Sequence, residues 1–272
     1  MNGRPALVLV GAGKMGGAML EGWLAGGMAG DSIVVLDPLP GAALSDLARR
    51  SGIRINPPAA DLASPDILVL AVKPQMLDSA AATLAALAGP DTLVVSIIAG
   101  KTVADLAARM PRARAFVRAM PNTPAAVGRG IAGCAASPAV TTEQRRQADR
   151  LLAAVGSVVW LDSEAQIDAV TAVSGSGPAY VFHLVEAMTE AGIALGLAPE
   201  TAAQLARATI EGAGELLYRD RDTSPAQLRV NVTSPGGTTA AALAVLMAPD
   251  GMTALMKRAI AAAHRRAGEL SG

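Results

Sequence analysis

The segment that most constrains the fold is a glycine-rich turn near the start of the chain. Ala6–Val10 is continuously apolar, Gly11–Gly16 reads Gly-Ala-Gly-Lys-Met-Gly, and Met15–Leu24 has a helical pattern. In a G-x-G-x-x-G turn the first glycine permits the tight turn and the second lets a pyrophosphate approach the backbone. The third lets the helix pack against the strand. The turn therefore predicts a parallel α/β domain that binds a dinucleotide.

The pattern up to Leu161 alternates short β-rich runs with helical stretches. Further strands are predicted at Ile33–Leu36, Ile67–Val72, Leu93–Ile98, Ala115–Ala119, Ile131–Ala135 and Val158–Leu161. Helices are predicted at Leu77–Leu87, Val103–Ala108 and Glu143–Val155. The central strands have almost no polar alternation, which is typical of parallel strands covered on both faces. The alternation predicts an α/β fold with a Rossmann-type doubly wound sheet over residues 1–162.

The pattern after Leu161 is helical throughout. Helices are predicted at Ile167–Val173, Ala179–Leu195, Glu200–Tyr218, Thr239–Met247 and Met252–Glu269. Their apolar stripes are wide and rich in alanine, so a small domain cannot cover them all by itself. Residues 163–272 are therefore predicted to form an all-helical dimerisation domain with a twofold subunit interface, the boundary lying at Asp162–Glu164.

Composition excludes several classes of protein. Lys+Arg and Asp+Glu number 23 each and aromatic residues make up 2 %, so neither a basic field nor stacking platforms favour nucleic acid. No apolar run reaches the roughly 18–20 residues that span a bilayer. Cys134 is the only cysteine, and the two histidines lie far apart, so no metal site is predicted. Because the first strand begins by Ala6, no signal peptide fits, and a cytoplasmic location is expected.

Asp37 bears on the choice of dinucleotide. It ends the second strand, about 20 residues past the glycine turn, where an acid accepts hydrogen bonds from the ribose hydroxyls of NAD and repels the 2′-phosphate of NADP. The next segment, Pro38–Leu47, contains no Arg or Lys to hold that phosphate. NAD(P)H is the predicted cofactor, with NADH preferred. The alternative is that Asp37 only begins an Asp-Pro turn.

Other strand ends supply further candidate cofactor contacts, because open α/β sheets bind ligands at the carboxyl ends of their strands. Lys73 can reach a ribose or phosphate, or form a surface ion pair. Asn122 can hold a ribose or the nicotinamide amide, or cap its own turn. The predicted cofactor-binding residues are Gly11, Ala12, Gly13, Lys14, Met15, Gly16, Asp37, Ala71, Val72, Lys73, Pro74, Ala99 and Asn122.

Residues 232–240 read Val-Thr-Ser-Pro-Gly-Gly-Thr-Thr-Ala directly before a predicted helix. A helix start presents unpaired N–H groups and a partial positive charge, and glycine lets a ligand approach the backbone. The segment is therefore a candidate socket for a small anion such as a carboxylate. The alternative is that its hydroxyl groups only cap the helix.

Taken together, these motifs resemble the pyrroline-5-carboxylate reductase family. The resemblance runs nearly end to end and rests on Gly11–Gly16, Ala71–Gln75, Ser96–Gly100, Met120–Pro124, Ser174–Tyr180 and Val232–Thr239. It implies a Rossmann domain, a helical dimerisation domain, and a homo-oligomer that is either a dimer or a decamer built from dimers. It also implies hydride transfer from NAD(P)H to L-1-pyrroline-5-carboxylate, giving L-proline in the last step of proline biosynthesis.

The resemblance also implies site residues. Ser234 and the backbone of Gly236, Gly237 and Thr238 hold the substrate carboxylate, and Thr239 hydrogen-bonds the imine nitrogen, so Thr239 and Ser234 are the candidate catalytic residues. Asp222 corresponds to a family acid near the substrate. The chain departs from the family at Lys14, where Asn is usual, and at Asp37-Pro38, which replace a cluster suited to NADPH.

Two alternative functions remain open from the residues alone. A 3-hydroxyacid dehydrogenase would share the two-domain plan but needs a lysine in its helical domain. The lysines here are Lys14, Lys73, Lys101 and Lys257, none of them in the Ser174–Ala187 region where that lysine is expected. A non-catalytic dinucleotide-binding protein would have no need of a carboxylate socket.

Overall fold

A computed structural model of the chain describes residues 5–58 and 61–271. Its strands form one eight-stranded sheet in the order β3-β2-β1-β4-β5-β6-β7-β8. The strands are β1 Leu7–Val10, β2 Ile33–Leu36, β3 Arg54–Ile55, β4 Ile67–Leu70, β5 Leu93–Ser96, β6 Ala115–Met120, β7 Gly130–Ala136 and β8 Gly156–Trp160. Neighbouring strands are parallel except β6 and β7, which are antiparallel. The predicted doubly wound sheet is confirmed.

Two hydrophobic layers cover the two faces of this sheet. Leu7 and Leu9 of β1 belong to one layer, whereas Val8 and Val10 belong to the other. This split follows from the alternation of side chains along a strand. Because both faces are buried, the inner strands are apolar at nearly every position, which is why the sequence reveals them.

In the described part of the chain, five α-helices lie between strands of the sheet. They are α1 Lys14–Ala25, α2 Ala42–Ser51, α3 Leu77–Leu87, α4 Val103–Arg109 and α5 Thr142–Ala153. All except α2 match predicted segments to within about two residues. The sequence pattern predicts neither α2 nor β3, since α2 buries only Leu44 and Ala48 and β3 is two residues long.

The C-terminal part is helical, as predicted. Its helices are α6 Ile167–Val170, α7 Gly177–Ala194, α8 Pro199–Arg219, α9 Pro225–Asn231, α10 Thr238–Leu246 and α11 Met252–Ser271. A π-helical turn, Thr171–Gly175, lies between α6 and α7. Two compact units divide after Gly175: the first includes the sheet and the residues from His264 onward, and the second is Ser176–Ala263. The change of sequence pattern that sets the predicted boundary lies earlier, at Asp162–Glu164.

The second unit has little interior of its own. Its buried hydrophobic residues are Ala202 and Ala206, whereas large side chains such as Phe182, Leu216 and Val245 are 64 %, 61 % and 72 % exposed. Large apolar side chains exposed in this number are typical of a surface that packs against another protein. None of the helices in residues 5–58 and 61–271 is both long enough and apolar enough to cross a membrane.

Cys134 lies buried in β7, and burial raises the pKa of its thiol to about 12. We expect the folded protein not to react with a thiol reagent at pH 8, because the reactive species is the thiolate. Since the folded pKa lies above the unfolded value of about 8.5, this group contributes stability below pH ~8.5 that is lost as the pH rises towards 12. Reaction with an aromatic disulfide with and without denaturant checks this; fast labelling of the native protein would contradict it.

Candidate active site

The glycine turn lies where the winding of the sheet reverses. β1 has β2 on one side and β4 on the other, so the chain winds in opposite directions from this point. Loops at the carboxyl ends of the strands diverge at such a point and leave a crevice for a ligand. Residues after β1, β2, β4 and β5 therefore share one edge of the sheet, and this edge carries most of the predicted cofactor residues.

The three glycines of the turn have different tasks. Gly11 has φ +87°, and a Cβ there would lie 2.8 Å from the carbonyl oxygen of Ala71. A Cβ on Gly16 would collide with the carbonyl oxygen of Gly11. A Cβ on Gly13, in contrast, would meet no heavy atom within 4 Å. Gly11 and Gly16 are thus required by the fold, whereas the space beside Gly13 is available to a ligand.

Helix α1 begins directly after this space. Gly13 is its N-cap residue, no side chain caps the helix, and the N–H of Gly17 donates to the carbonyl of Gly13 at 2.7 Å. The N–H groups of Lys14, Met15 and Gly16 precede that bond and have no partner within the helix, as in any first turn. The exposed Lys14 adds a positive charge. This end of α1 fits a pyrophosphate.

The Asp37 carboxylate is bound to the glycine turn. Its Oδ2 accepts the N–H of Ala12 at 2.8 Å, and its Oδ1 accepts the N–H of Leu39 at 2.9 Å. The Gly11 N–H donates to the carbonyl of Leu36 at 2.8 Å, which joins the same two loops. Asp37 therefore begins a turn and also presents a fixed carboxylate beside the turn. Each carboxylate oxygen keeps a further lone pair for a ligand.

A cavity of about 430 Å³ adjoins Asp37. Its walls are mainly apolar, and they are formed by Val10, Leu36, Asp37, Pro38, Asn56, Pro57, Leu62, Val72, Met76, Ser79, Ala80 and Thr83. An apolar slot with few polar groups suits a flat heteroaromatic ring. Together with the open space at Gly13, the cavity fits the adenosine half of a dinucleotide.

The other predicted cofactor residues at this edge also follow strands. The Ala71 N–H donates to the carbonyl of Val10 at 2.8 Å, so the β1–β4 ladder continues to Ala71. Pro74 then begins a short 3₁₀ helix and turns the chain out of the sheet. Val72 lines the cavity, and Lys73 and Ala99 are exposed. These positions agree with contact to a ligand lying along the edge.

Asn122 is engaged within the fold. Its Nδ2 donates to the carbonyl of Ser174 at 3.1 Å, and its Oδ1 accepts the N–H of Ile131 at 2.9 Å. The side chain thus connects β7 to the π-helical turn. One N–H and one lone pair remain, so a contact to the cofactor stays a prediction, and the observed role is to hold these elements together.

An ion network around the buried Arg118 supports the loop that carries Ala99, and the sequence motifs do not reveal it. Arg118 of β6 is 4 % exposed and donates from Nη1 to Glu164 Oε1 at 3.1 Å. The same oxygen accepts the N–H of Val103 at 2.8 Å, which fixes the start of α4. Asp168 lies 4.0 Å from Arg118 Nη2. An arginine inside an apolar strand is the available signal, because a buried charge requires partners.

The threonine that caps α4 completes this support. Thr102 and Asp105 form a capping box, in which each side chain accepts a hydrogen bond from the other's backbone N–H. The hydrogen bond from the Thr102 backbone holds the pKa of Asp105 below its usual value. The loop after β5 is therefore fixed at its far end by a negative charge at the positive end of a helix.

In the second unit, residues 234–239 fold as a turn followed by a helix. The N–H of Gly237 donates to the carbonyl of Ser234 at 3.0 Å, and Gly236 has φ +70°. With Pro235 in the second position this is a type II turn, which requires glycine in the third. Gly237 is the N-cap of α10, and its carbonyl accepts the N–H of Ala241 at 3.1 Å.

The turn brings its hydroxyls and backbone donors together. Ser234 and Thr238 are exposed and Thr239 is half-buried. The backbone N–H groups of Thr238 and Thr239 lie in the first turn of α10, where a helix has no partner for them. The glycine N-cap supplies no side chain to occupy them. The group can therefore receive a carboxylate.

Asp222 lies in the segment between α8 and α9. It is exposed, and its neighbour Asp220 closes the local turn by accepting the N–H of Thr223 at 3.1 Å. Its contact with a substrate remains a prediction. Within residues 5–58 and 61–271, no group of three or more His, Cys, Asp and Glu side chains could hold a metal ion.

Comparison with known proteins covers both parts of the chain. The family described as "Pyrroline-5-carboxylate reductase dimerisation" matches residues 164–270, and that described as "NADP oxidoreductase coenzyme F420-dependent" matches residues 6–100. The pyrroline-5-carboxylate reductase of Pseudomonas aeruginosa is 44 % identical over 98 % of this chain and 97 % of its own.

Solved structures agree. A pyrroline-5-carboxylate reductase from Coxiella burnetii superposes with a TM-score of 0.90 at 35 % identity, covering 99 % of this chain and 100 % of that one. The Plasmodium falciparum pyrroline carboxylate reductase with NADP bound has a TM-score of 0.78 at 26 % identity, with the same coverage.

Proposed function

The chain belongs to the pyrroline-5-carboxylate reductase family, and we propose that it reduces L-1-pyrroline-5-carboxylate to L-proline by means of the turn at residues 234–239. The observation that carries this function is similarity over nearly the full length to reductases of one activity. The nicotinamide coenzyme supplies the hydride that reduces the ring C=N bond. What remains for the protein is to hold the carboxylate, orient the imine and provide a hydrogen bond at its nitrogen.

Ser234 and the start of α10 hold the carboxylate. A carboxylate has two oxygens that accept hydrogen bonds, and the Ser234 hydroxyl and the N–H group of Thr238 are donors close together in the chain. The Gly237 N–H donates to the Ser234 carbonyl at 3.0 Å, so the turn is formed before the substrate arrives. The partial positive charge of α10 favours the anion.

Thr239 provides the hydrogen bond at the imine nitrogen. It follows Thr238 directly, so it can reach the ring of a substrate whose carboxylate is held one residue earlier. A protonated imine is the better hydride acceptor, because the reduction then neutralises its charge. A hydroxyl suits this position, since it can donate to a neutral imine nitrogen or accept from the N–H of a protonated one. It leaves proton supply to water or to a substrate that arrives protonated.

NADH is the preferred coenzyme. The Asp37 carboxylate is fixed beside the glycine turn by Ala12 and Leu39, and a fixed negative charge repels a 2′-phosphate while its free lone pairs accept ribose hydroxyls. The Plasmodium falciparum relative was solved with NADP bound. A preference of this chain for NADH would come from Asp37-Pro38, because the family often has a cluster suited to NADPH at these positions.

The wild-type coenzyme preference tests this role of Asp37. We expect kcat/KM with pyrroline-5-carboxylate to be higher for NADH than for NADPH by about tenfold, which corresponds to about 1.4 kcal/mol. Steady-state rates with each coenzyme at saturating substrate give the ratio. A tenfold preference for NADPH would remove Asp37 from coenzyme selection.

The protein forms a homo-oligomer, since the family match at residues 164–270 is a dimerisation domain and the second unit exposes large apolar side chains. A twofold dimer is the simplest assembly, because one apolar face then covers its own copy. A decamer of five such dimers is the larger form that the resemblance implies. Light scattering distinguishes twice from ten times the chain mass of 27.3 kDa.

A further inference from the structure

We propose that Asn56 is a positioning residue for coenzyme selection, because its side-chain amide holds Asp37 where the Asp37 carboxylate accepts ribose hydroxyls and repels a 2′-phosphate. The inference rests on the proposed role of Asp37 in coenzyme preference and names the residue on which that role depends. Asn56 touches the backbone of Asp37, so it acts through Asp37.

The amide of Asn56 binds both backbone polar groups of Asp37. The Asp37 N–H donates to Asn56 Oδ1 at 2.9 Å, and Asn56 Nδ2 donates to the Asp37 carbonyl at 2.7 Å. In a parallel ladder these two bonds come from two successive peptide units of the neighbouring strand. The Asn56 amide supplies both of them instead and extends the pairing past the last paired residues of β3.

The backbone of Asn56 explains why a side chain takes this place. The β2–β3 pairing ends at Val35 and Ile55, and the Asn56 N–H donates to the Val35 carbonyl at 2.9 Å. Asn56 then has φ +47°, the one positive φ of a non-glycine residue in the described part of the chain. Asparagine tolerates this conformation better than most residues. The backbone turns away from β2 there, and the amide continues the pairing.

As a result, hydrogen bonds from three residues hold Asp37 and its carboxylate in place. Asn56 holds its backbone, and the N–H groups of Ala12 and Leu39 hold its two oxygens. Asp37 and Asn56 line the same cavity of about 430 Å³. Without the amide, the segment after β2 would keep only the carboxylate contacts, and the charge would move more freely beside a bound ribose.

The exposure of Asn56 makes a clean test feasible, since replacing an exposed side chain disturbs no core packing. Asn56→Gly keeps the backbone conformation accessible and removes both hydrogen bonds. We expect the Kd of NADH to rise about threefold to tenfold, as for the loss of one or two exposed hydrogen bonds. The Kd of NADPH stays the same or falls, because the repelling charge is less well placed. Calorimetric titration of the full-length protein with each coenzyme measures both constants.

Two further variants separate positioning from stability. Asn56→Asp retains the acceptor for the Asp37 N–H, so its affinity for NADH is expected to lie between those of wild type and Asn56→Gly. In an Asp37→Ser background, Asn56→Gly is expected to leave both coenzyme affinities unchanged. An equal loss of affinity for NADH and NADPH in Asn56→Gly, or an undiminished effect without Asp37, would overturn the inference.

The wild-type titration keeps this inference distinct from the proposed coenzyme preference. If wild type binds NADH more tightly and Asn56→Gly changes nothing, Asp37 keeps its role and Asn56 loses its own. If wild type does not prefer NADH, the preference itself fails, and the inference that depends on it fails with it.

Discussion

Replacing Thr239 with alanine is expected to lower kcat by about 30- to 1000-fold, because a hydrogen bond at the reacting centre is worth about 2–4 kcal/mol. The Kd of NADH should hardly change, since Thr239 lies in the helical unit and the glycine turn lies in the sheet. Alanine favours helix more than threonine does, so the start of α10 should remain folded. Stopped-flow or steady-state rates at saturating substrate, with circular dichroism as a check on folding, measure the effect.

Neighbouring variants give the controls for Thr239. Thr239→Ser keeps the hydroxyl and should retain most of kcat. Ser234→Ala removes the hydroxyl that we place on the carboxylate, so it should raise KM more than it lowers kcat. Unchanged kcat in Thr239→Ala at saturation would remove Thr239 from the mechanism.

Replacing Gly13 with alanine is expected to weaken NADH binding by at least about tenfold, or about 1.4 kcal/mol, without loss of stability. A Cβ at this position meets no protein atom within 4 Å, and the backbone of Gly13 has φ −67°, which alanine adopts freely. The methyl group would instead occupy the space through which a pyrophosphate approaches the helix start. Calorimetric titration and thermal unfolding of the same preparation measure the two effects.

Variants of two other glycines of this region serve as controls for Gly13→Ala. Gly17→Ala is the matched control, because a Cβ there lies at an ordinary 3.6 Å from the Ala12 carbonyl and stays within α1. Gly16→Ala should destabilise the fold itself, since its Cβ collides with the Gly11 carbonyl. Gly13→Ala with wild-type affinity for NADH would mean that the coenzyme does not lie against this turn.

What the sequence predicts well is set by interactions between residues close together in the chain. The glycine turn, the apolar strands and the Ser-Pro-Gly-Gly turn each depend on a few consecutive residues, and each is found where the pattern predicts it. Strand ends are less well predicted. The apolar run Ile67–Val72 extends past the end of β4 at Leu70, because Ala71 and Val72 are also apolar although they lie in the loop at the carboxyl edge of the sheet.

What the sequence does not predict depends on partners that are distant in the chain. Arg118 and Glu164 are 46 residues apart, and Asn122 and Ser174 are 52 apart. Asn56 and Asp37 are 19 apart, and β3 is too short to show that they would be neighbours. No local pattern distinguishes a polar side chain that binds a ligand from one that binds a distant strand, so Asn122 received a cofactor role and Asn56 none.

Hydride transfer to the imine is tested most directly by the product formed from pyrroline-5-carboxylate and NADH deuterated at the transferable position of the nicotinamide. We expect L-proline that carries one deuterium on the carbon of the former C=N bond, formed at a rate equal to that of coenzyme oxidation. Tight NADH binding without proline formation, or proline without deuterium at that carbon, would contradict this expectation.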